Sequence, residues 1–261
     1  MNRPLSPGAT MVTAVAVPPG VESMTRRPAL FLAEAVNELA NGSHFLERIP
    51  PQVWNAVRRN GRALQINAGE NVFIQGDPHT GIWLIEEGTV RTFYAAPSGR
   101  QITLAYWTAG HFVGGPEIFG GGEHVWSADV TQNSRLLYLP ATTIRGLIES
   151  QPSFALCIIE GLSAKGKCYS ALVQMLGTRS VVERLTQLLI ILAENYGRRD
   201  KGRLIIERKL TYDQIASIVG CTRQWVTMTF DKLQKKGIIS VARPMITIER
   251  YDLLMAEVDF N

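Results

Sequence analysis

TYDQIASIVGCTRQWVTMTFDKL, residues 211–233, decides the fold. Thr211 followed three residues later by Gln214 has the form of a capping box, in which each side chain satisfies the other's free backbone donor, so a helix starts there. Ile215, Ala216 and Val219 carry it to Gly220, and Thr222 is a second N-cap that opens another helix. In that second helix Val226, Phe230 and Leu233 recur at i, i+4 and i+7 and face a core, which leaves Arg223, Gln224, Thr227 and Met228 pointing outward near its start. Two short helices joined by a glycine turn form a helix-turn-helix, and this end of its second helix is where base-reading side chains belong. Arg223 offers a bidentate fork for guanine, Gln224 pairs with adenine, and Met228 supplies apolar contact to a thymine methyl.

Downstream, Gly237-Ile-Ile-Ser-Val241 and Met245-Ile-Thr-Ile248 are β-prone runs around Ala242-Arg243-Pro244, the pattern of a hairpin wing. Arg243 at its tip is placed to touch phosphate, with Thr211 and Thr222 as further DNA-facing positions. Between positions 208 and 243, Arg208, Lys209, Arg223, Lys232, Lys235, Lys236 and Arg243 outnumber Asp213 and Asp231, although the whole chain carries only +4. A helical bundle with a basic solvated face is the plain alternative; caps, turn, wing and clustered charge together argue against it.

Upstream, Val181, Leu185, Leu188, Leu189 and Leu192 share one face of a helix over 180–196. Before it, Ile158, Leu162, Lys165, Tyr169, Leu172 and Leu176 follow a 4,3,4,3,4 spacing, the form of a heptad seam for a partner helix. The alternative is a helix lying on its own β-domain, and Lys165 inside the seam weakens the intermolecular reading. Cys157 and Cys168 stand eleven residues apart there, about 16 Å, too far for a disulfide.

More than half of the 23 glycines fall between positions 61 and 122, among short β-branched and aromatic runs. Strands are expected over 63–66, 71–74, 81–85, 89–94, 101–107, 127–131 and 135–139, with turns at Gly69, Gly76-Asp77-Pro78, Gly88 and Gly99. So many brief strands favour a barrel or roll. Amphipathic helices over 30–39 and 51–57 lead into it, after a proline-rich arm. The expected architecture is α+β: a flexible arm (1–28), a β-roll sensor domain (29–150), a dimerisation helix (151–178) and a winged helix-turn-helix DNA-binding domain (179–261).

At 261 residues with 46% hydrophobic and 19% charged residues, the composition is that of a folded globular chain. Its three cysteines have no metal-ligand spacing, and so few point to a reducing compartment; with neither a membrane-length apolar run nor a convincing signal peptide, a cytoplasmic location is expected. No nucleophile–base–acid constellation stands out, so no enzyme is expected.

Ala68-Gly-Glu70, Gln75-Gly-Asp-Pro78, Leu84-Ile-Glu-Glu-Gly88, Ser98-Gly-Arg100, Gly110-His-Phe-Val-Gly114 and Ile218-Val-Gly-Cys-Thr-Arg223 occur in the order and spacing of the cyclic-AMP receptor/FNR (Crp/Fnr) family of transcription regulators, and the chain over 45–250 resembles that family. The resemblance implies a cyclic-nucleotide-binding-like jelly roll, a homodimer, a palindromic double-stranded DNA site and RNA polymerase as partner. Where the family's cyclic-nucleotide binders carry Glu and Leu, this chain has Gly115 and Pro116, and Trp126 stands where their Arg precedes Ser127-Ala128. With no cation there, a buried phosphate lacks its strongest partner, which argues against cyclic AMP. With no cysteine before Cys157, the N-terminal iron-sulfur cluster of the FNR branch is excluded. The effector positions implied are Gly114, Gly115, Trp126, Ser127, Tyr169 and Ser170, suited to an apolar or aromatic molecule; alternatively Trp126 fills the vacated pocket and no effector is needed. No cofactor is expected, with haem ligated by His44, His79, His111 or His124 as a second reading. A sensor module that does not bind DNA is the remaining rival. In the recognition helix the family's Arg-Glu-x-x-x-Arg trio becomes Arg223, Gln224 and Met228.

Overall fold

The computed structural model describes residues 49–207, 210–242 and 245–258. The proposed arm, the helix over 30–39, His44, Arg208, Lys209 and Arg243 lie outside the described residues.

Helix α1 (Pro51–Asn60) leads into β1 (Arg62–Ile66), β2 (Asn71–Phe73), β3 (Gly81–Ala95), β4 (Gln101–Thr108), β5 (Phe112–Val113) and β6 (Ser127–Pro140). These strands form one antiparallel sheet ordered β1-β6-β3-β4, with β2 on β6 and β5 on β3. The runs expected at 81–85 and 89–94 are one long strand, as are those at 127–131 and 135–139. The Glu87-Gly88 turn is instead a bulge: pairing with β6 shifts register between Ile85 and Val90. Gly88 has φ +98 there, and Ser134 Oγ lies 2.1 Å from where a Cβ would stand, so a side chain would be strained and obstructed.

Two helices follow, α2 (Ala141–Ser150) and the 27-residue α3 (Pro152–Thr178). The stripe expected to meet a partner helix packs instead on its own chain. Ile158 sits with Phe112 and Leu84 beneath the sheet, Cys168 and Tyr169 enter the roll interior with Trp107, and Leu172 joins Tyr106. Each large apolar side chain buried this way contributes roughly 1.5–3 kcal/mol, which fixes the inward face. The opposite face carries Leu156, Ile159 and Val173, each at least 60% exposed.

Helix α4 (Val181–Tyr196) begins with a capping box between Ser180 and Glu183. It is followed by β7 (Gly197–Asp200) and β8 (Arg203–Ile206), a hairpin not expected from the sequence, then α5 (Tyr212–Val219), α6 (Arg223–Lys235), β9 (Ile239–Ala242), β10 (Met245–Ile248) and α7 (Tyr251–Ala256). The wing strands join that hairpin in a sheet ordered β7-β8-β10-β9. Phe230, Val226, Ile215, Leu185 and Leu189 form the core beneath the helices.

Candidate nucleic-acid interface and effector site

The capping box of α5 is present in both directions: Thr211 Oγ1 accepts from Gln214 N at 3.2 Å and Gln214 Oε1 accepts from Thr211 N at 2.8 Å. Gly220 closes α5 in the left-handed region at φ +66, where a Cβ would meet Leu176 Cδ2 at 2.8 Å. Thr222 caps α6, accepting from Trp225 N at 3.4 Å. Val226, Phe230 and Leu233 are buried, while Arg223, Gln224 and Met228 are exposed and Thr227 is half-buried. The Thr227 hydroxyl donates to the Arg223 carbonyl at 3.1 Å, which leaves it no free proton for a base. Arg223 Nη1 donates to Asp213 Oδ2 at 3.1 Å. At so exposed a site that pair is worth under about 1 kcal/mol, so it orients the guanidinium without sequestering it. Trp225, 46% exposed beside Gln224, was not expected on this surface. An indole reads from sequence as core, and only the helix phase fixed by Val226 and Phe230 points it outward.

The reader domain docks on its own sensor. Thr103 of β4 and Ser217 of α5 share a buried hydroxyl–hydroxyl hydrogen bond of 3.0 Å, and an Arg100 Nη2 hydrogen bond reaches the Gly220 carbonyl across the same junction. The glycine turn that sets the angle of α6 is therefore held from the sensor side.

Within the roll, Trp126 and Tyr169 meet edge to face at 5.5 Å, and Tyr169 meets Trp107 at 6.5 Å. Gly115 faces Leu162 and Phe112, while Ser127 Oγ is already used, accepting from Gln75 N at 2.9 Å. Ser170 is exposed on the outer face of α3, away from the other five expected effector positions. The structure also corrects the expectation of a site without a cation. Lys165 is 94% buried and its Nζ lies 3.4 Å from the centroid of Trp107 and 4.7 Å from that of Phe112. The helix supplies the positive charge that the strand lacks.

Burial lowers the Lys165 pKa from 10.5 to about 7. The unfolded chain then binds more protons than the folded one between those values, so stability rises with pH across that window and is lost as pH falls toward 7. Lys165→Met removes the desolvated charge; cation–π attraction offsets part of that cost, up to about 2 kcal/mol. A net gain on the order of 2 kcal/mol is expected near pH 7, roughly 4–8 °C in Tm for a chain of this size, narrowing as pH approaches 10. Calorimetry at both pH values checks it.

His79 and His124 are buried together, ring centroids 4.6 Å apart, with His124 stacked on Phe73 at 4.0 Å. His79 Nε2 lies 2.5 Å from the Gly114 carbonyl, which can only accept, so Nε2 carries the proton and the buried Nδ1 is left without a partner. Desolvation first, then His79, lowers the His124 pKa from 6.5 to about 4. Its folded-state pKa is depressed, so the stability it confers is complete above 6.5 and declines as pH falls toward 4. His124→Phe, which keeps the stack on Phe73, should flatten the fall in unfolding free energy between pH 6.5 and 5 by on the order of 1–2 kcal/mol, read from denaturant melts at the two pH values.

The haem reading gains no support from these three histidines: His79 and His124 are packed among Phe73, Trp83 and backbone, and His111 Nδ1 lies 3.2 Å from the Thr108 carbonyl. No cluster of three or more potential metal ligands occurs among the described residues, and no helix among them is long and apolar enough to cross a membrane.

A β-roll followed by a long helix and a winged helix-turn-helix whose recognition tip is exposed defines a DNA-binding transcription regulator with an effector-binding-type domain. Two family models match in that order: the cyclic nucleotide-binding domain over residues 63–151 and the Crp-like helix-turn-helix domain over residues 183–257. The chain belongs to the Crp/Fnr family. Its relatives include a global nitrogen regulator of Nostoc sp., 24% identical over 221 residues, covering 84% of this chain and 92% of that one. The fumarate and nitrate reduction regulatory protein of Salmonella typhimurium is 24% identical over 195 residues, 75% of this chain and 78% of that one. Among solved structures, the c-di-GMP-responsive global regulator CLP of Xanthomonas campestris shares the fold with a TM-score of 0.68 at 18% identity, over 76% of this chain and 99% of that one.

Proposed function

We propose that this protein acts in the cytoplasm as a homodimer that reads a palindromic operator through Arg223 and Gln224, in concert with RNA polymerase, with regulation rather than catalysis as its role. The observation that carries this reading is the pair of surfaces left uncovered in one chain: the recognition tip, and the outer face of α3. On that face Leu156, Ile159, Ser163, Gly166, Ser170, Val173 and Gly177 follow a 3,4,3,4,3,4 spacing, the a/d rhythm of a two-helix seam. Apolar residues at its ends and small ones at its centre suit close approach of an identical helix. The expected dimer helix is retained, but its seam lies on the face opposite to the one read from sequence.

Pairing along this seam presents two recognition tips about 34 Å apart, one turn of duplex, so each enters a successive major groove. Thr211, Thr222 and Arg243 contact phosphate, Met228 and Trp225 lie against apolar base edges or sugars, and the half-site keeps a guanine opposite Arg223. An effector other than cyclic AMP acts at Gly114, Gly115, Trp126, Ser127 and Tyr169, with Ser170 contributed across the seam by the partner. It shifts the balance between packings of β4 against α5, and DNA selects one of them. Gel shifts with a palindromic duplex and a scrambled one at several salt concentrations test the reading. A steep salt slope for both duplexes, with tighter binding to the palindrome at every salt, is expected; equal affinity for the two would contradict it.

A further inference from the structure

Lys165 places in an interior built of rings an amine that burial leaves only partly protonated near pH 7 and that an adjacent anion would hold protonated. Trp107 and Phe112 receive its ammonium, Tyr169 meets Trp107 edge to face and Trp126 meets Tyr169 in turn, and no carboxylate or hydrogen-bond acceptor pairs with the ammonium among the described residues. A buried ammonium is stable when an anion is beside it; an aromatic face replaces that anion only in part. Gly115 puts no acid on the neighbouring turn, and the thiol of Cys168 is pushed up to about 12 by burial, so it stays neutral and supplies no counter-charge.

We infer that the natural ligand of this interior is a small monoanionic carboxylate with a flat apolar body, its carboxylate held by Lys165 Nζ and its body taking the place of the Trp126 indole against Tyr169 and Trp107. This rests on the effector reading above and names the chemical class that reading leaves open. One cation matches the single charge of a carboxylate, whereas a phosphate, with more oxygens to satisfy, would find no second charged donor beside Lys165. The walls supply stacking surface and few polar groups: Ser127 Oγ is occupied by the Gln75 amide, and the Tyr169 hydroxyl interacts with Thr92. Specificity therefore comes from ring shape and the single ion pair. The Trp126 side chain, half-exposed, is the group that a ligand displaces to reach the lysine.

The test uses the full-length protein titrated with benzoate and phenylacetate, and with benzamide and phenylacetamide as neutral isosteres, followed by tryptophan fluorescence and calorimetry. The carboxylates should bind and perturb Trp126 and Trp107 emission, with each amide at least about tenfold weaker. Lys165→Met should abolish carboxylate binding while remaining folded by thermal melting. Trp126→Ala should retain carboxylate binding and lose most of the fluorescence change. Equal binding of acid and amide, undiminished binding by Lys165→Met, or no carboxylate binding up to about 10 mM overturns the inference. Failure of the wild-type protein to dimerise or to prefer the palindrome is a separate result, and it is the one that removes the regulator reading.

Discussion

Ile159→Arg should convert the protein from dimer to monomer and weaken operator binding by about 100-fold or more. Ile159 is 60% exposed in the single chain, near the end of the outer face of α3, and the twofold axis of the proposed dimer would place it against its own copy or the adjoining Leu156. Two arginines brought together there repel in a partly desolvated interface and leave the apolar contact unmade. Once the helices part, each half-site is bound by an independent reader, and the effective-concentration advantage of a linked pair, on the order of 10²–10⁴, is lost. Because the side chain points away from the β-roll, the fold of each protomer should survive; Tm near the dissociated wild-type value with a halved mass by light scattering is the expected result. A mass unchanged at dimer would place the interface elsewhere.

Arg223→Ala should cost about 1–3 kcal/mol at the cognate operator, roughly 5- to 150-fold in affinity, and little on unrelated DNA. The side chain stands at the first position of α6, exposed and held only by Asp213. A guanidinium so placed can exchange that weak surface pair for the O6 and N7 of guanine without stripping a buried partner. Fluorescence anisotropy on both duplexes separates the outcomes: equal losses would assign Arg223 to phosphate.

The DNA-binding half was legible in the sequence because its local signals are self-contained. Thr211 with Gln214, Gly220 and Thr222 specify caps and a turn from their own side-chain chemistry, and the phase of Val226, Phe230 and Leu233 then fixes which residues face outward. The β-roll was legible as a class, but its strand boundaries were not: Gly88 reads as a turn when it is the bulge inside one continuous strand. The two-residue β5 carries too little pattern to be seen at all. The long helix misled for a physical reason. Both faces of α3 follow heptad spacing, one apolar against its own sheet and one apolar or small toward solvent, so periodicity alone could not say which face stays within the chain. Lys165 made that ambiguity worse, since a cation in a stripe argues against burial unless Trp107 and Phe112, distant in sequence, are known to receive it. Trp225 was missed in the opposite sense, as an indole exposed where a core residue is expected.

Selection of bound sequences from a random DNA pool by the full-length protein is the most direct test of two Arg223–Gln224 tips presented by a twofold pair. The expected product is an inverted repeat whose half-site centres lie about 10 base pairs apart, each with one invariant guanine and changed neighbours. Enrichment of a single unrepeated half-site, or of direct repeats, would contradict it.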